Sequence, residues 1–412
     1  MEGARAYFDH AATTPLDPRV LDAMLPYLTT AWGNPSSIYA EGREAAQGLH
    51  LARRKVAEIL NCKPQEIVFT GGGSEADNLA IRGAALGNRR RGNHIVTSAI
   101  EHHAVLHTVE RLEGEGFEAT YLGVDGQGFI DLAELEGAVR ENTGVVTLML
   151  ANNEIGTIEP IAEAAAIVRK KNPQAVFHTD AVQAAGYLDL DVQKMGVNLL
   201  TLAAHKFYGP RGIGVLYVRQ RTPMQPQILG GSQERGRRAG TENVAGAVGL
   251  ARALELAYLE KPQRTAHVRE LRDFLLREIP AGVPGVVITG SLDLDRRLPA
   301  NLSLCFEHLE GEPVLLNLDL SGISASAGSA CATGSMEPSH VLSACGIDPD
   351  TARCALRLSL GKDNTMAQCE HLVEILPGIV EKLRRLQPTY RMSTPEGSSP
   401  QSDLRQTQAV RR

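Results

Sequence analysis

Three stretches of this sequence put a reactive side chain where an apolar run ends. In Thr201-Leu202-Ala203-Ala204-His205-Lys206-Phe207-Tyr208-Gly209-Pro210, a lysine follows an apolar run, among small and aromatic neighbours, and precedes a Gly-Pro turn. Partial desolvation lowers an amine's pKa and makes it a nucleophile toward carbonyl carbon. The competing account is a lysine snorkelling at a strand end. In His178-Thr179-Asp180-Ala181-Val182-Gln183, an acid closes an apolar run. Such an aspartate caps the following helix or pairs with a cationic ring nitrogen of a bound cofactor. In Phe69-Thr70-Gly71-Gly72-Gly73-Ser74-Glu75-Ala76-Asp77-Asn78, an apolar run meets three glycines, then a hydroxyl and an acid that open a helix. Exposed backbone N–H groups there make a phosphate cradle; a flexible, Ser-capped turn is the plainer alternative.

Two further residues stand out by their surroundings. Arg357 interrupts the strand pattern Ala355-Leu356-Arg357-Leu358-Ser359-Leu360, where a guanidinium needs a partner. A substrate carboxylate gripped by both arms of the fork would supply one; so would a structural salt bridge. Cys331 has only Gly, Ala, Ser and Thr around it, which suits a loop thiol rather than a core one. Cys62, Cys305, Cys345, Cys354 and Cys369 read mostly as small buried hydrophobes. None of the six forms a C-x-x-C pair, so a reducing, cytoplasmic setting is expected.

These residues must be positioned by alternating elements. Short Val/Ile/Leu-rich runs predict strands at 67–70, 94–98, 119–122, 145–151, 175–180, 198–203 and 214–219. Amphipathic patterns predict helices at 41–60, 75–86, 104–113, 132–140 and 161–171. Strand alternating with helix implies an α/β fold on a mostly parallel sheet covered on both faces, with ligands beyond the carboxyl ends of the strands. Later segments predict helices over 244–260 and on to about 278, strands at 301–306 and 355–360, and helices near 313–318 and 367–386. A smaller α+β domain is therefore expected over 262–390, with residues 391–412, rich in Ser, Pro, Gln, Thr and Arg, as a disordered tail.

Composition narrows the function classes. The 412 residues suggest two or three domains, and 43% apolar with 22% charged residues is ordinary for a globular chain. A net charge of −6 argues against general nucleic-acid or membrane-surface binding. No apolar run approaches the ~20 residues that span a bilayer. The start, Met1-Glu2-Gly3-Ala4-Arg5, lacks a signal-peptide pattern. His103 and His107 are four apart on an expected helix, but no third metal ligand is evident nearby, and no metal is expected.

Taken in order, the motifs carry a resemblance. Over residues 7–387 the chain resembles the cysteine desulfurases, enzymes of PLP-dependent fold type I within the class-V aminotransferases. It does so through Tyr7-Phe8-Asp9-His10-Ala11-Ala12-Thr13-Thr14, Gly33-Asn34-Pro35-Ser36-Ser37, the glycine turn, Glu101-His102-His103-Ala104-Val105, Asn152-Asn153-Glu154-Ile155-Gly156, the Asp180 and Lys206 motifs, and Arg238-Ala239-Gly240-Thr241-Glu242-Asn243. The most specific piece is Ser326-Ala327-Gly328-Ser329-Ala330-Cys331-Ala332-Thr333-Gly334-Ser335-Met336-Glu337-Pro338-Ser339-His340, similar to the long cysteine loop of the branch that serves iron–sulfur assembly.

The resemblance implies a role for each matching residue. Lys206 would hold pyridoxal 5'-phosphate (PLP) covalently and move protons; Asp180 would face the pyridine nitrogen; His102 would stack on the ring. Asn153 and Gln183 would hydrogen-bond the cofactor or the substrate side of its ring, and Gly73, Ser74 and His205 would contact the phosphate, with Thr241 reaching it from the second subunit of a homodimer. Arg357 and Asn34 would take the substrate carboxylate, and Cys331 would accept sulfur as a persulfide and deliver it, with an iron–sulfur scaffold protein as the expected acceptor. It also implies an N-terminal arm over 1–14 that joins the small domain and a large PLP-binding domain over 15–261. Ala203, Ser74 and Tyr39 depart from the commoner serine, threonine and histidine, and Ala203 removes a phosphate-contacting hydroxyl. A selenocysteine lyase, an aminotransferase on the same fold and an inactive assembly partner are the rival readings.

Overall fold

The structure, a computed structural model, describes residues 5–328 and 338–386. Its large sheet has seven strands: β2 (Ile67–Thr70), β3 (His94–Ser98), β4 (Glu118–Leu122), β5 (Thr143–Thr147), β6 (Val176–Asp180), β7 (Leu199–Ala203) and β8 (Gly214–Val218). They stand in the order β2-β8-β7-β6-β5-β3-β4. The pairs β4–β3, β3–β5, β5–β6 and β6–β7 are parallel, whereas β8 runs antiparallel to both β7 and β2. Every residue of β3, β5, β6, β7 and β8 is buried, which is why these strands read as continuous apolar runs rather than alternations. Edge strand β4 is mostly exposed or half-buried, and its sequence is correspondingly mixed.

Helix Gly73–Asn88 crosses one face of the sheet, over β5 to β8. Helix Val244–Leu259 is apolar on nearly every side and is packed between helices Pro18–Thr29 and Ala40–Ile59. The strand expected over 145–151 ends at Thr147; beyond it Leu148 and Leu150 still donate to the carbonyls of His178 and Asp180. Helix Pro18–Thr29 was not anticipated, although its start carries a standard signal: Asp17 accepts from the Arg19 N–H, and Pro18 opens the first turn.

A second core surrounds an antiparallel sheet of β9 (Val286–Thr289), β10 (Asn301–Phe306) and β12 (Ala355–Ser359), in the order β12-β10-β9. Strand β9 also escaped the sequence reading, although Pro284-Gly285 before it and Gly290 after it, both glycines at positive φ, bound it as turn residues do. The N-terminal strand β1 (Ala6–Tyr7) pairs in parallel with β11 (Ile323–Ser324), and the fully buried Phe8 joins this second core with Leu304 and Leu358. Truncating Phe8 to Ala costs roughly 3–5 kcal/mol by the usual cavity penalty. That burial fixes the segment 9–14, which passes over the ends of β6 and β7.

Candidate active site

A cavity of about 320 Å³ opens at the carboxyl ends of β6 and β7, within the size range of small-molecule sites. Asp180 is the last residue of β6, and Lys206 lies three residues beyond the end of β7. Lys206 Nζ donates to the carbonyls of Ala11 at 2.5 Å and Ala12 at 2.9 Å. Gln183 Nε2 donates to the same Ala11 carbonyl at 3.0 Å, so the N-terminal segment braces both side chains. Two residues after the lysine, Tyr208 adopts φ +67, a left-handed backbone that a non-glycine residue holds only when its surroundings enforce it. Here the Tyr208 N–H donates to Thr14 Oγ1 at 2.7 Å, and its hydroxyl accepts from the Lys362 N–H at 2.8 Å.

Burial sets the protonation states. Asp180 is pushed up to about 6 by burial, opposed by the Val182 N–H (2.9 Å to Oδ1) and by the Lys206 charge. A cation on the cavity side would stabilise its anion further. His102 is drawn down to about 4 by burial first and then by Lys206 and the neighbouring histidines. Its Nδ1 accepts the Ala104 N–H at 3.1 Å, which caps helix His103–Glu113 and leaves the ring proton on Nε2. His205 falls to about 4 for the same reasons, burial ahead of the Lys206 and Arg211 charges.

At one end of the cavity, Gly73 and Ser74 open the helix Gly73–Asn88 with its N–H groups unspent. A Cβ on Gly73 would meet Val182 at 3.2 Å and Ala203 at 3.4 Å, so glycine keeps this wall open. Ala203 does line the cavity, and it brings no hydroxyl to it. Glu75 accepts the Gly71 N–H at 2.8 Å through Oε2 and pairs with Arg238, Nε to Oε1 at 2.8 Å, so its charge is shared at the edge of the turn.

At the other end lies Arg357, only 2% exposed. Its Nη1 donates to the carbonyls of Asn153 (3.0 Å) and Gly328 (2.8 Å), and its Nη2 to Asp9 Oδ1 (2.8 Å). Its Nε is buried with no hydrogen-bond partner among the described residues. The salt bridge weighed from sequence thus exists, and one buried donor of the guanidinium remains without a partner among the described residues.

The cavity therefore gathers Gly73, Ser74, His102, Asn153, Asp180, Gln183, His205, Lys206 and Arg357, nine of the residues singled out from sequence. Asn34 and Thr241 do not line it; both are exposed, and Asn34 serves a turn in which its Oδ1 accepts the Ser36 N–H at 2.9 Å. Cys331 lies outside the described residues. Sequence reasoning gave no role to Asp9, Asp77, Glu154 or His340, which also face or border the cavity. Asp9 stood inside a recognised motif, but only the folded chain shows that it meets Arg357. The rings of His103, His107 and His340 cluster 4.7–5.0 Å apart, yet no group of metal-holding side chains occurs among the described residues.

A strand-end lysine and aspartate, a glycine cradle and a buried arginine around one cavity define a class, and the sequence comparisons agree with it. Residues 6–372 match the aminotransferase class-V family, and the chain belongs to that family. Cysteine desulfurase IscS of Clostridium botulinum (strain Hall) is 48% identical over 386 residues, 94% of this chain and 97% of that protein. Cysteine desulfurase IscS of Methanosarcina thermophila is 48% identical, covering 94% and 95%. Among solved structures, a NifS-like protein superposes with a TM-score of 0.86 at 38% identity, over 92% of this chain and 100% of the other. SspA in complex with cysteine gives 0.76 at 36%, over 87% and 100%.

Proposed function

We propose that this chain is a PLP-dependent cysteine desulfurase, converting L-cysteine to L-alanine and passing the sulfur, as a persulfide on Cys331, to an acceptor of iron–sulfur assembly. The observation that carries the reading is the opposition of Lys206 and Asp180 across one cavity, closed at one end by a glycine cradle and at the other by Arg357. The residues fit the cofactor. A buried carboxyl lining the cavity suits a protonated pyridine nitrogen, and the helix-start N–H groups at Gly73 and Ser74 suit a phosphate. Lys206 would hold PLP covalently, Asp180 its ring nitrogen, His102 its face, Asn153 and Gln183 its polar edge, and His205 the phosphate. When bound, PLP withdraws electrons from the amino acid's α-carbon and loosens the bonds around it.

The chain's own groups do the rest. Arg357 orients the substrate carboxylate through Nε, while Asp9 and the Asn153 and Gly328 carbonyls keep the guanidinium from turning. The Lys206 amine would carry a proton to or from the α-carbon, and His102 holds one at Nε2. Burial pushes the thiols of Cys62, Cys305, Cys345, Cys354 and Cys369 up to about 12, which makes them poor nucleophiles at neutral pH. Cys331 remains as the sulfur acceptor. Its thiolate attacks the substrate sulfur, the Cβ–S bond breaks, and the carbon fragment is protonated to alanine.

A homodimer completes the reading. Leu21, Leu25 and Leu28 share one face of helix Pro18–Thr29 and are 44%, 50% and 58% exposed, beside Trp32 at 70%. Leu229 is 79% exposed, in the loop leading to Thr241. An apolar surface of this kind marks an interface, and a partner seated on it would bring Thr241 to the phosphate and Asn34 to the substrate. The arm, large and small domains expected from sequence, with boundaries at 14 and 261, fit the separate cores around the two larger sheets. Activity is tested by incubating purified protein with PLP, L-cysteine and a dithiol that reduces the persulfide to sulfide, with and without a keto acid. Equal alanine and sulfide without keto acid is expected; the amino acid of the added keto acid, formed without sulfide, would make the chain an aminotransferase. Parallel assays with selenocysteine separate a lyase.

A further inference from the structure

A lane of buried polar side chains crosses the large sheet beneath the cavity. Thr147 on β5, His178 on β6 and Thr201 on β7 are linked by bonds of 2.8 Å, between the Thr147 hydroxyl and His178 Nδ1, and 3.0 Å, between His178 Nε2 and the Thr201 hydroxyl. Asp180, two residues after His178, faces the same side of the sheet and is the register partner of Thr201. Helix Gly73–Asn88 covers this side and sends Asp77 down onto the lane. Asp77 is 1% exposed, lines the cavity floor with Asp180, and its Oδ1 has no hydrogen-bond partner among the described residues. That oxygen is 3.7 Å from His178 Nε2, an ion-pair separation. The imidazole is neutral, however: burial lowers it to about 3, and threonine hydroxyls engage both of its nitrogens. It offers Asp77 no charge.

Two carboxyls buried within electrostatic reach of each other do not both ionise. The charged and titratable groups around the pair decide which keeps the proton. Asp180 has the Val182 N–H and the Lys206 cation to stabilise its anion. Asp77 faces Asp180 and Glu101, both acids, and a neutral histidine. Burial and then Asp180's charge raise Asp77 well above the ordinary carboxyl range, and the Thr201 hydroxyl offsets this only in part.

We infer that Asp77 is a positioning residue that remains a neutral acid beside Asp180, so that the cavity floor presents a single negative charge, on Asp180, to the cofactor's ring nitrogen. This rests on the PLP reading above. With the proton on Asp77, Asp180 is free to hold the ring nitrogen's proton. A second carboxylate there would repel the first and draw that proton out of place.

Infrared difference spectra of the cofactor-free full chain at neutral pH test the inference without reference to PLP. Wild type minus Asp77→Asn should show a protonated carboxyl C=O band and no carboxylate bands; the buried Glu101 and Glu159 cancel in the difference. Loss of carboxylate bands instead would overturn the assignment. Wild type minus Asp180→Asn should show carboxylate bands and no acid band, since burial is the larger cause and Asp77 keeps its proton in the variant; an acid band in that difference would put the proton on Asp180 and also overturn it. This second variant decides the matter if Asp77→Asn fails to fold. Cofactor affinity adds a rescue: Asp77→Ala should bind PLP about tenfold more weakly, and Asp77→Asn should recover most of that loss. An asparagine as weak as alanine would contradict the neutral-acid role. Should the chain bind no PLP at all, the infrared result still stands or falls separately.

Discussion

Asp9 and Arg357 lie 348 residues apart in the chain, and their side chains meet at 2.8 Å, carboxylate Oδ1 to guanidinium Nη2. The contact joins the N-terminal segment to β12 and braces an arginine that lines the cavity. Because a charge-assisted hydrogen bond to a buried partner contributes about 1.5–3 kcal/mol, Arg357→Leu should raise KM for L-cysteine by roughly 10- to 100-fold. Asp9→Asn keeps the shape of the brace and should raise KM less. Steady-state kinetics of both variants checks the order; an Asp9 effect larger than the Arg357 effect would show that the arginine does not bind substrate.

Burial pushes Glu101 up to about 8, with the Met149 N–H and Ser98 hydroxyl opposing. Its folded pKa lies above its unfolded value, so the folded chain holds the extra proton and stability declines as pH rises from about 4.5 to 8. His102 shifts the other way, down to about 4, so its contribution is lost as pH falls from about 6.5 toward 4. Denaturant midpoints of the apo chain should therefore fall on both sides. Glu101→Gln should flatten the alkaline limb and leave the acid limb in place.

Cysteine reactivity gives a third prediction. Cys331→Ser should bind PLP and L-cysteine but release neither alanine nor sulfide catalytically, because a hydroxyl cannot accept sulfur as a persulfide. Serine at any of the other five positions should keep turnover within about threefold, with stability losses of about 1 kcal/mol where the thiol is buried. Mass spectrometry of the wild type after one turnover should find the persulfide on Cys331; finding it on a buried cysteine would overturn the scheme.

The shared site is tested by mixing subunits. Neither Lys206→Ala nor Thr241→Ala homodimers should be fully active, and Lys206→Ala should lose turnover entirely. After subunit exchange, a hybrid has one site in which the intact Lys206 and the intact Thr241 come from different chains. Recovered alanine production supports a Thr241 contributed across the interface, and no recovery despite proven exchange would place it within its own subunit's site.

Much of this protein could be read from its sequence. The buried strands announce themselves because strands covered on both faces must be apolar throughout, and the Asp180 and Lys206 motifs stand out because charged groups ending such runs need a reason to be there. Glycines at 71–73 mark the cradle for the same local reason. What the sequence could not decide was which distant groups meet. Nothing in the spacing of residues 9 and 357, or of Asp77 and His178, tells that the first pair forms an ion pair and the second does not. Strand order and the antiparallel entry of β8 are products of long-range packing in the large-sheet core, and the passage of segment 9–14 over Lys206 follows the burial of Phe8 in the second core. Protonation belongs there too: the composition counts Asp77, Glu101 and His102 as ordinary acids and a base, and only desolvation in the folded chain moves them.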